Sequence, residues 1–171
     1  MTSSLRPRCS ASLFEESKRC TYFQVTDEDG KGEVTRATGP RWDTLSNLKK
    51  NLNETIQAAQ QEGGEARAAL VRTGYGWIRA WSEVFVETEL LQGVTQRYQP
   101  NVRMTSLPNL KIAALPAAIE TVTRIFEDAC RCIDAHSQPL ATLGVSPTLT
   151  GLEAHWQELQ DSRKTYLDAV K

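Results

Sequence analysis

The stretch at residues 65–98, EARAALVRTGYGWIRAWSEVFVETELLQGVTQRY, decides the fold class of this chain. Apolar side chains recur in it every seven residues, a spacing typical of a helix with a coiled-coil-like seam. These residues are Leu70, Trp77, Val84, Leu91 and Tyr98. An uninterrupted helix of this length would be about 50 Å long. The pattern predicts one long central helix, which Gly74 and Gly76 would kink, divide or open to a neighbouring helix.

Three further stretches of the chain show helical periodicity. They lie at 44–61, 116–136 and 150–171. Asp43 or Thr44 is the expected N-cap of the first of these helices. Four amphipathic helices must bury their apolar stripes against one another, most simply as an antiparallel four-helix bundle. A helix that is longer than its neighbours would leave apolar side chains uncovered, and such a surface binds partners.

The apolar stripes of these three helices predict which residues form the core. Thr150 and Glu153 stand at the spacing of a capping box, which predicts that the last helix begins there. Steps of three and four residues define each stripe. The expected core positions are Leu45, Leu48, Leu52, Ile56, Ala59, Leu115, Ile119, Val122, Phe126, Ala129, Ile133, Leu152, Trp156, Leu159, Tyr166 and Val170.

A different pattern precedes the helices. Residues 1–19 are expected to form an N-terminal arm, and residues 20–39 a short β-hairpin or an extended segment. Two runs of β-branched and aromatic residues flank the turn-rich sequence DEDGKG at 27–32, which favours the hairpin. An isolated hairpin is marginally stable in water, so it should pack on the helices or on another chain. The helical bundle would then occupy residues 40–171.

Composition excludes several functional classes. The chain has 171 residues, 40% of them hydrophobic and 24% charged, which indicates one domain with an arm. A net charge of −1 argues against a nucleic-acid binder. We expect no transmembrane segment, because no apolar run approaches the length of about 20 residues that a bilayer requires.

The expected location of the chain is intracellular. Four cysteines in 171 residues do not indicate a disulfide scaffold, and the first 14 residues contain no apolar signal-peptide core. A cytoplasmic location is favoured. The Arg- and Ser-rich opening, which contains no acidic residue, makes an organellar, mitochondrial-type location the alternative.

One cluster combines residue types that bind metals. Cys132 and His136 are four residues apart on a predicted helix and share a face, whereas Cys130 points elsewhere. A tetrahedral site would need a further ligand, such as Cys9 or Cys20 from the arm. The other interpretation is that Cys130, Cys132 and His136 are small, buried or half-buried residues near a helix end and bind no metal. We therefore expect no metal and no cofactor.

Aromatic residues mark the candidate contact surface. The stretch GYGWIRAW at 74–81 contains Tyr, Trp and Arg, the residue types enriched at interface hot spots. The opposing interpretation is a bulky core layer facing small residues such as Ala117 and Ala118. The predicted partner-binding residues are Tyr22, Phe23, Tyr75, Trp77 and Trp81.

These observations favour a non-catalytic protein–protein interaction module, a scaffold or an accessory subunit of a larger assembly. The sequence contains no nucleophile elbow and no phosphate-binding loop, so we expect no enzymatic activity. The expected partners are other protein chains. Whether the chain forms a homo-oligomer is left open, because heptad seams pack either within one chain or between copies of it. The alternatives are a small metal- or ligand-binding bundle with a Cys/His site, and a membrane-active or signalling helical domain of a larger protein.

Overall fold

The structure is a computed structural model, and the described part of the chain is mostly helical, as the sequence predicts. The residues that it describes are 22–26, 33–37, 44–96, 101–133 and 147–170. The chain divides into two compact units, Met1–Trp42 and Asp43–Lys171.

The first unit contains two five-residue strands. β1 spans Tyr22–Thr26 and β2 spans Glu33–Ala37, and the two pair antiparallel. Residues 1–19, the predicted arm, lie outside the described residues. That the strands pack on the helices or on another chain stays a prediction.

The second unit begins with helix α1, Leu45–Gln61. Thr44 caps it, because its side-chain oxygen accepts a hydrogen bond of 3.2 Å from the backbone N–H of Asn47. Beyond the helix, Gly64 has a φ of +55°, a left-handed conformation that favours glycine. This conformation lets the chain reverse into the next helix, and both ends of α1 agree with the sequence prediction.

Helix α2 spans Gly64–Phe85 and continues as a π-helical segment, Val86–Leu90. The prediction that this helix runs to the end of the heptad pattern is wrong. Gln92 and Gly93 adopt left-handed φ angles of 49° and 66°, and the Gly93 N–H donates to the carbonyl of Glu87 at 2.8 Å. The chain therefore turns away. The heptad spacing continues past Gly93 and so does not reveal the turn.

Helices α3 and α4 complete the unit. α3 spans Leu115–Cys132, and α4 spans Leu149–Ala169. The cap of α4 is Thr148, whose hydroxyl accepts a hydrogen bond of 3.1 Å from the Gly151 N–H. The predicted start at Thr150 is therefore wrong. Thr148 and Thr150 are both candidate N-caps, and the apolar periodicity of the helix does not distinguish between them.

The four described α-helices pack as a helical bundle in which helices adjacent along the chain run antiparallel. α4 also lies antiparallel to α1: Lys49 donates to Gln160 at 3.1 Å, and Gln60 donates to Glu153 at 2.7 Å. The start of α1 thus lies beside the later part of α4.

All four helices contribute to the core, and within it α2 and α4 run parallel to each other and pack together. Gly74 on α2 packs directly against the side chain of Leu152 on α4. Trp81 then meets Trp156 edge-to-face with ring centroids 5.3 Å apart, and Trp81 also stacks on Phe85 at 5.1 Å. The contact between Trp81 and Trp156 fixes the two helices in one register.

The buried face of α2 is shifted by one residue from the predicted seam. Leu70, Trp77 and Leu91 are only partly buried, although Val84 is buried. Because Gly74 has no side chain, α4 approaches closely there, and this side of α2 faces inward. The residues buried on α2 are Val71, Gly74, Tyr75, Ile78, Trp81, Ser82, Val84 and Phe85.

The buried face of α3 is shifted by one residue in the opposite direction along the sequence, whereas α1 and α4 match their predicted stripes. Ile119 is 43% exposed and Phe126 is half-buried, contrary to the prediction that both are core residues. The residues buried on α3 are Ala118, Val122, Ile125, Ala129 and Cys132. Those buried on α1 and α4 are Leu48, Leu52, Ile56, Ala59, Leu152, Trp156, Leu159 and Tyr166.

Candidate interaction surface and groove

Exposed apolar side chains of the helical unit are concentrated in one segment. Residues 91–114 connect α2 to α3 and include two 3₁₀ helices, Met104–Asn109 and Ile112–Ala114. In the described part of this unit, every large hydrophobic residue that is exposed lies between positions 102 and 119. These residues, here called the crossover hydrophobics, are Val102, Met104, Leu107, Ile112 and Ile119.

The crossover is held in place by backbone hydrogen bonds. The Arg103 N–H donates to the carbonyl of Val94 at 2.8 Å, which joins the segment to the turn after α2. Short 3₁₀ helices have too few turns to cover all their side chains. Arg103 and Lys111 are the two charged residues at 101–119, and both are exposed. The segment therefore presents apolar side chains together with positive charge.

A groove lies beside the crossover, between α2 and α3. Its cavity volume is about 530 Å³, and apolar side chains from both helices line it, including Val86, Val122 and Phe126. Arg79 lies over the Phe126 ring at 5.9 Å and pairs with Glu83 at 3.3 Å. The groove borders the core, because Val122 is a buried core residue and Val86 packs against the core, while Phe126 is half-buried.

Ser82 gives this groove an unusual polar group. It belongs to the groove lining, yet the residue is only 1% exposed. Its Oγ makes no hydrogen bond within the described chain, a property shared there with the Nε2 of Gln160. A buried hydroxyl without a partner is unfavourable by about 1–3 kcal/mol, so native proteins rarely contain one without a reason.

The aromatic residues predicted to contact a partner divide into three groups. Tyr75 and Trp81 are 2% and 1% exposed and belong to the core, so neither side chain is available to a partner in this structure. Trp77 is partly buried and packs on the edge of that core. Tyr22 and Phe23 lie on β1, and their side chains are outside the described part.

A polar cluster surrounds the inner end of Tyr75. Its hydroxyl lies 3.4 Å from Nδ1 of His155, and Nε2 of His155 lies 3.8 Å from Asp128. Burial, followed by the nearby Cys132 and Asp128, raises the pKa of Tyr75 to about 12. Burial and the charge of Asp128 also raise the pKa of the Cys132 thiol. The thiol therefore stays protonated at neutral pH, which does not favour nucleophilic chemistry.

The structure does not assemble the predicted Cys/His cluster. Cys132 is buried, Cys130 is half-buried, and His136 lies outside the described residues. Among the side chains that the structure describes, no three His, Cys, Asp or Glu residues are placed to hold a metal ion.

The crossover hydrophobics, Ser82 and Phe126 are site residues that sequence reasoning missed or assigned to the core. One signal was present in the sequence. Residues 101–115 contain several apolar side chains without helical or strand periodicity, so no regular element was available to bury them. No sequence signal indicated that Ile119 is exposed, because this residue occupies a regular position of the α3 stripe.

Comparison of the chain with protein-family models, with curated proteins and with solved structures found no match. Within the described ranges, no helix has both the length and the apolar character needed to cross a membrane.

Proposed function

We propose that this chain is a non-catalytic protein–protein interaction module, a scaffold or accessory subunit whose four-helix bundle presents the crossover to a partner protein. The observation that supports the proposal is the concentration of exposed apolar side chains at positions 102–119. Scattered exposed apolar residues are ordinary, but a concentration of them commonly marks an interaction site.

The free energy available from burying the crossover hydrophobics is compatible with specific binding. Burying a side chain of this size contributes about 1.5–3 kcal/mol, so the five crossover hydrophobics supply of the order of 10 kcal/mol. Association itself has a cost of about 4–15 kcal/mol. The crossover hydrophobics therefore need added contacts, and Arg103 and Lys111 favour a partner that carries acidic residues beside its apolar surface.

Site-specific photocrosslinking tests this proposal. A photoreactive amino acid replaces Met104 or Ile112 in the full chain, and crosslinking is carried out in the native source of the protein. We expect a discrete partner to be crosslinked at both positions. The same group placed at the exposed Gln57 of α1 serves as the control and should not capture that partner.

Two double variants that introduce the same negative charge at different places complete the test. The double variant Met104→Asp and Ile112→Asp should lose the partner while keeping its helical circular dichroism, because both side chains are exposed. Gln57→Asp with Ala66→Asp adds the same charge at exposed positions elsewhere and should retain the partner. Retention by the first variant would refute the proposal. Vesicle binding that the first variant loses would reassign the crossover to a membrane surface.

A ligand-binding bundle is the second candidate function. The groove supports it, whereas the predicted Cys/His cluster does not. The groove between α2 and α3 has the volume of a small-molecule site, and its lining is mostly apolar.

A further inference from the structure

We infer that the groove between α2 and α3 binds a small, uncharged and mainly apolar molecule with an oxygen that accepts a hydrogen bond from Ser82. The inference rests on the second candidate function, a ligand-binding bundle, and is independent of the crossover hydrophobics and of the proposed partner protein. The volume of the groove, about 530 Å³, falls within the range of small-molecule sites. The exposed Thr95 and Thr123 lie at its mouth, and the buried Ser82 and Val122 form its floor.

The hydroxyl of Ser82 is the buried polar group that such a ligand would satisfy. The residue is 1% exposed, and its Oγ makes no hydrogen bond within the described residues, although Ser82 lines the groove. A serine hydroxyl carries one donor proton, and a buried donor without an acceptor is unfavourable because it has lost its hydrogen bond to water. Rotation about the single Cα–Cβ bond turns the hydroxyl among staggered positions, so it can donate to an oxygen that lies in the groove.

The winding of α2 is irregular where it borders the groove. The segment Val86–Leu90 is π-helical, and the Leu91 N–H donates to the carbonyl of Val86, five residues earlier, at 2.8 Å. Leu90 is buried in the core, whereas Val86 and Leu91 line the groove. Single π-helical turns within α-helices are uncommon and occur frequently at functional sites. This irregularity is independent of Ser82 and points to the same place.

Burial determines the charge of the bound end of the ligand. The floor of the groove offers the neutral hydroxyl of Ser82 among side chains such as Val122 and Phe126. A charged group brought there would lose its hydration, and one hydrogen bond to a neutral hydroxyl is too weak to offset that loss. An uncharged oxygen loses far less hydration and gains the hydrogen bond. A ketone or ester carbonyl on an apolar body therefore fits the floor.

The carboxylates of the lining do not change this class. Glu83 pairs with Arg79 at 3.3 Å, and Glu87 likewise has an interaction within the chain. Neither carboxylate is therefore a free counter-charge for an ammonium group, so a cationic ligand gains no compensation for its lost hydration.

Three probes that share one skeleton test the class of ligand. 4-Phenylbutan-2-one is the uncharged ketone, 3-methylbutylbenzene has a methyl group in place of the carbonyl oxygen, and 4-phenylbutan-2-amine is protonated at neutral pH. Titration of the ketone into the ¹⁵N-labelled full chain should give saturable amide NMR shifts at residues 82–96 and 122–126. The amine should bind more weakly, and tighter binding of the amine than of the ketone would overturn the assigned class.

Ser82→Ala tests the hydrogen bond. Headspace gas chromatography over solutions of the full chain measures the binding of the two volatile probes, the ketone and the hydrocarbon. The substitution should weaken the ketone by about fivefold, which corresponds to one neutral hydrogen bond, and should leave the hydrocarbon unchanged. Ser162→Ala removes a hydroxyl from α4 outside the groove and should alter neither affinity. Unchanged ketone affinity in Ser82→Ala, or an equal loss for both probes, would refute the inference and leave the groove as a ligand site.

A blocking variant tests the location. Thr123 is an exposed lining residue of α3, and Thr123→Trp should fill the groove and abolish the shifts. Thr73→Trp places the same side chain at an exposed position of α2 outside the groove and should bind the ketone normally. Binding that persists in Thr123→Trp, or no saturable shift with the ketone up to its solubility limit, would refute the groove itself as a ligand site.

Discussion

Two glycines only two positions apart in α2 show how far single residues determine this fold. A Cβ added at Gly74 would clash with the buried side chain of Leu152, whereas one added at Gly76 would meet no atom within 4 Å. Gly74→Ala should therefore destabilise the chain by about 1–3 kcal/mol, because overpacking outweighs the gain in helix propensity.

The matched variant, Gly76→Ala, should instead stabilise the chain by about 0.5–1 kcal/mol, because only the propensity gain applies. Urea denaturation followed by circular dichroism measures both changes. Equal effects of the two substitutions would show that α2 and α4 are not in close contact at Gly74.

Ser82→Ala should stabilise the chain, whereas most substitutions of core residues destabilise it. Ser82→Ala removes a buried hydroxyl that lacks a partner in the described chain, so the free energy of unfolding should rise by about 1 kcal/mol. Thermal unfolding should show an increase in Tm of about 3 °C. Ser162→Ala in α4 is the control for helix propensity and should give the smaller increase. A loss of stability in Ser82→Ala would mean that the hydroxyl has a partner after all.

The buried phenol of Tyr75 makes stability depend on alkaline pH. Its pKa is raised from 10.0 in the unfolded chain to about 12, chiefly by burial, so folding favours the protonated phenol. This stabilisation is complete below pH 10 and is lost as the pH rises through 12. Denaturation curves between pH 8 and 12 should fall less steeply for Tyr75→Phe than for the unaltered chain. Parallel curves would place the alkaline sensitivity elsewhere.

One ion pair joins the π-helical end of α2 to α4. Arg163 donates two hydrogen bonds to Glu89, at 2.8 and 2.6 Å, and Tyr166 donates to the Glu89 carbonyl at 3.2 Å. Glu89→Gln should destabilise the chain by about 1–2 kcal/mol, since bidentate, partly buried pairs exceed surface pairs in strength.

The control for this ion pair is Glu54, which pairs with Lys50 at 3.9 Å while both side chains remain largely exposed. Glu54→Gln should change stability by less than about 0.5 kcal/mol. Hydrogen exchange should report faster opening at residues 86–90 only in Glu89→Gln. Faster exchange spread over the whole bundle would indicate a global rather than a local effect.

The sequence predicted that the four helices exist, but it did not predict which side of α2 and of α3 is buried. α1 and α4 carry single dominant stripes, so their buried residues were predicted correctly. α2 and α3 have apolar residues at neighbouring positions, such as Trp77 beside Ile78 and Phe126 beside Ile125. Which neighbour faces inward depends on the approach of α4 at Gly74, a contact that lies 78 residues away along the chain.

The candidate sites were predictable only in outline. Residues 101–115 contain apolar side chains without helical or strand periodicity, which indicates a connection whose side chains no regular element buries. The sequence could not indicate the groove, because it assigned the lining residue Phe126 to the core, whereas Phe126 is only half-buried. It named Trp81 a contact residue by residue type and left a core position open, because size and aromatic character suit both.

Low net charge and exposed apolar residues act together in the solution behaviour of this chain. The net charge is −1 at pH 7 and the isoelectric point is about 6.2. Electrostatic repulsion between copies is therefore weakest near pH 6.2, where the crossover hydrophobics should promote self-association. Light scattering should detect larger species at pH 6.2 than at pH 8.

The double variant Met104→Asp and Ile112→Asp should remain dispersed at both pH values, because it loses apolar surface and gains negative charge. Gln57→Asp with Ala66→Asp gains the same charge but keeps the crossover intact. If that control prevents association equally well, charge alone is responsible and the crossover is not the contact.

The perpendicular arrangement of Trp81 and Trp156 gives the molecule an optical property. Two indole rings with centroids 5.3 Å apart are close enough for their ultraviolet transitions to couple, and a fixed angle of 84° gives that coupling a defined sign. Dissolution of the fixed side-chain packing would erase the signal, even where helical backbone persists. The chain thus contains its own spectroscopic probe, which separates a collapsed helical state from the packed one without any added dye.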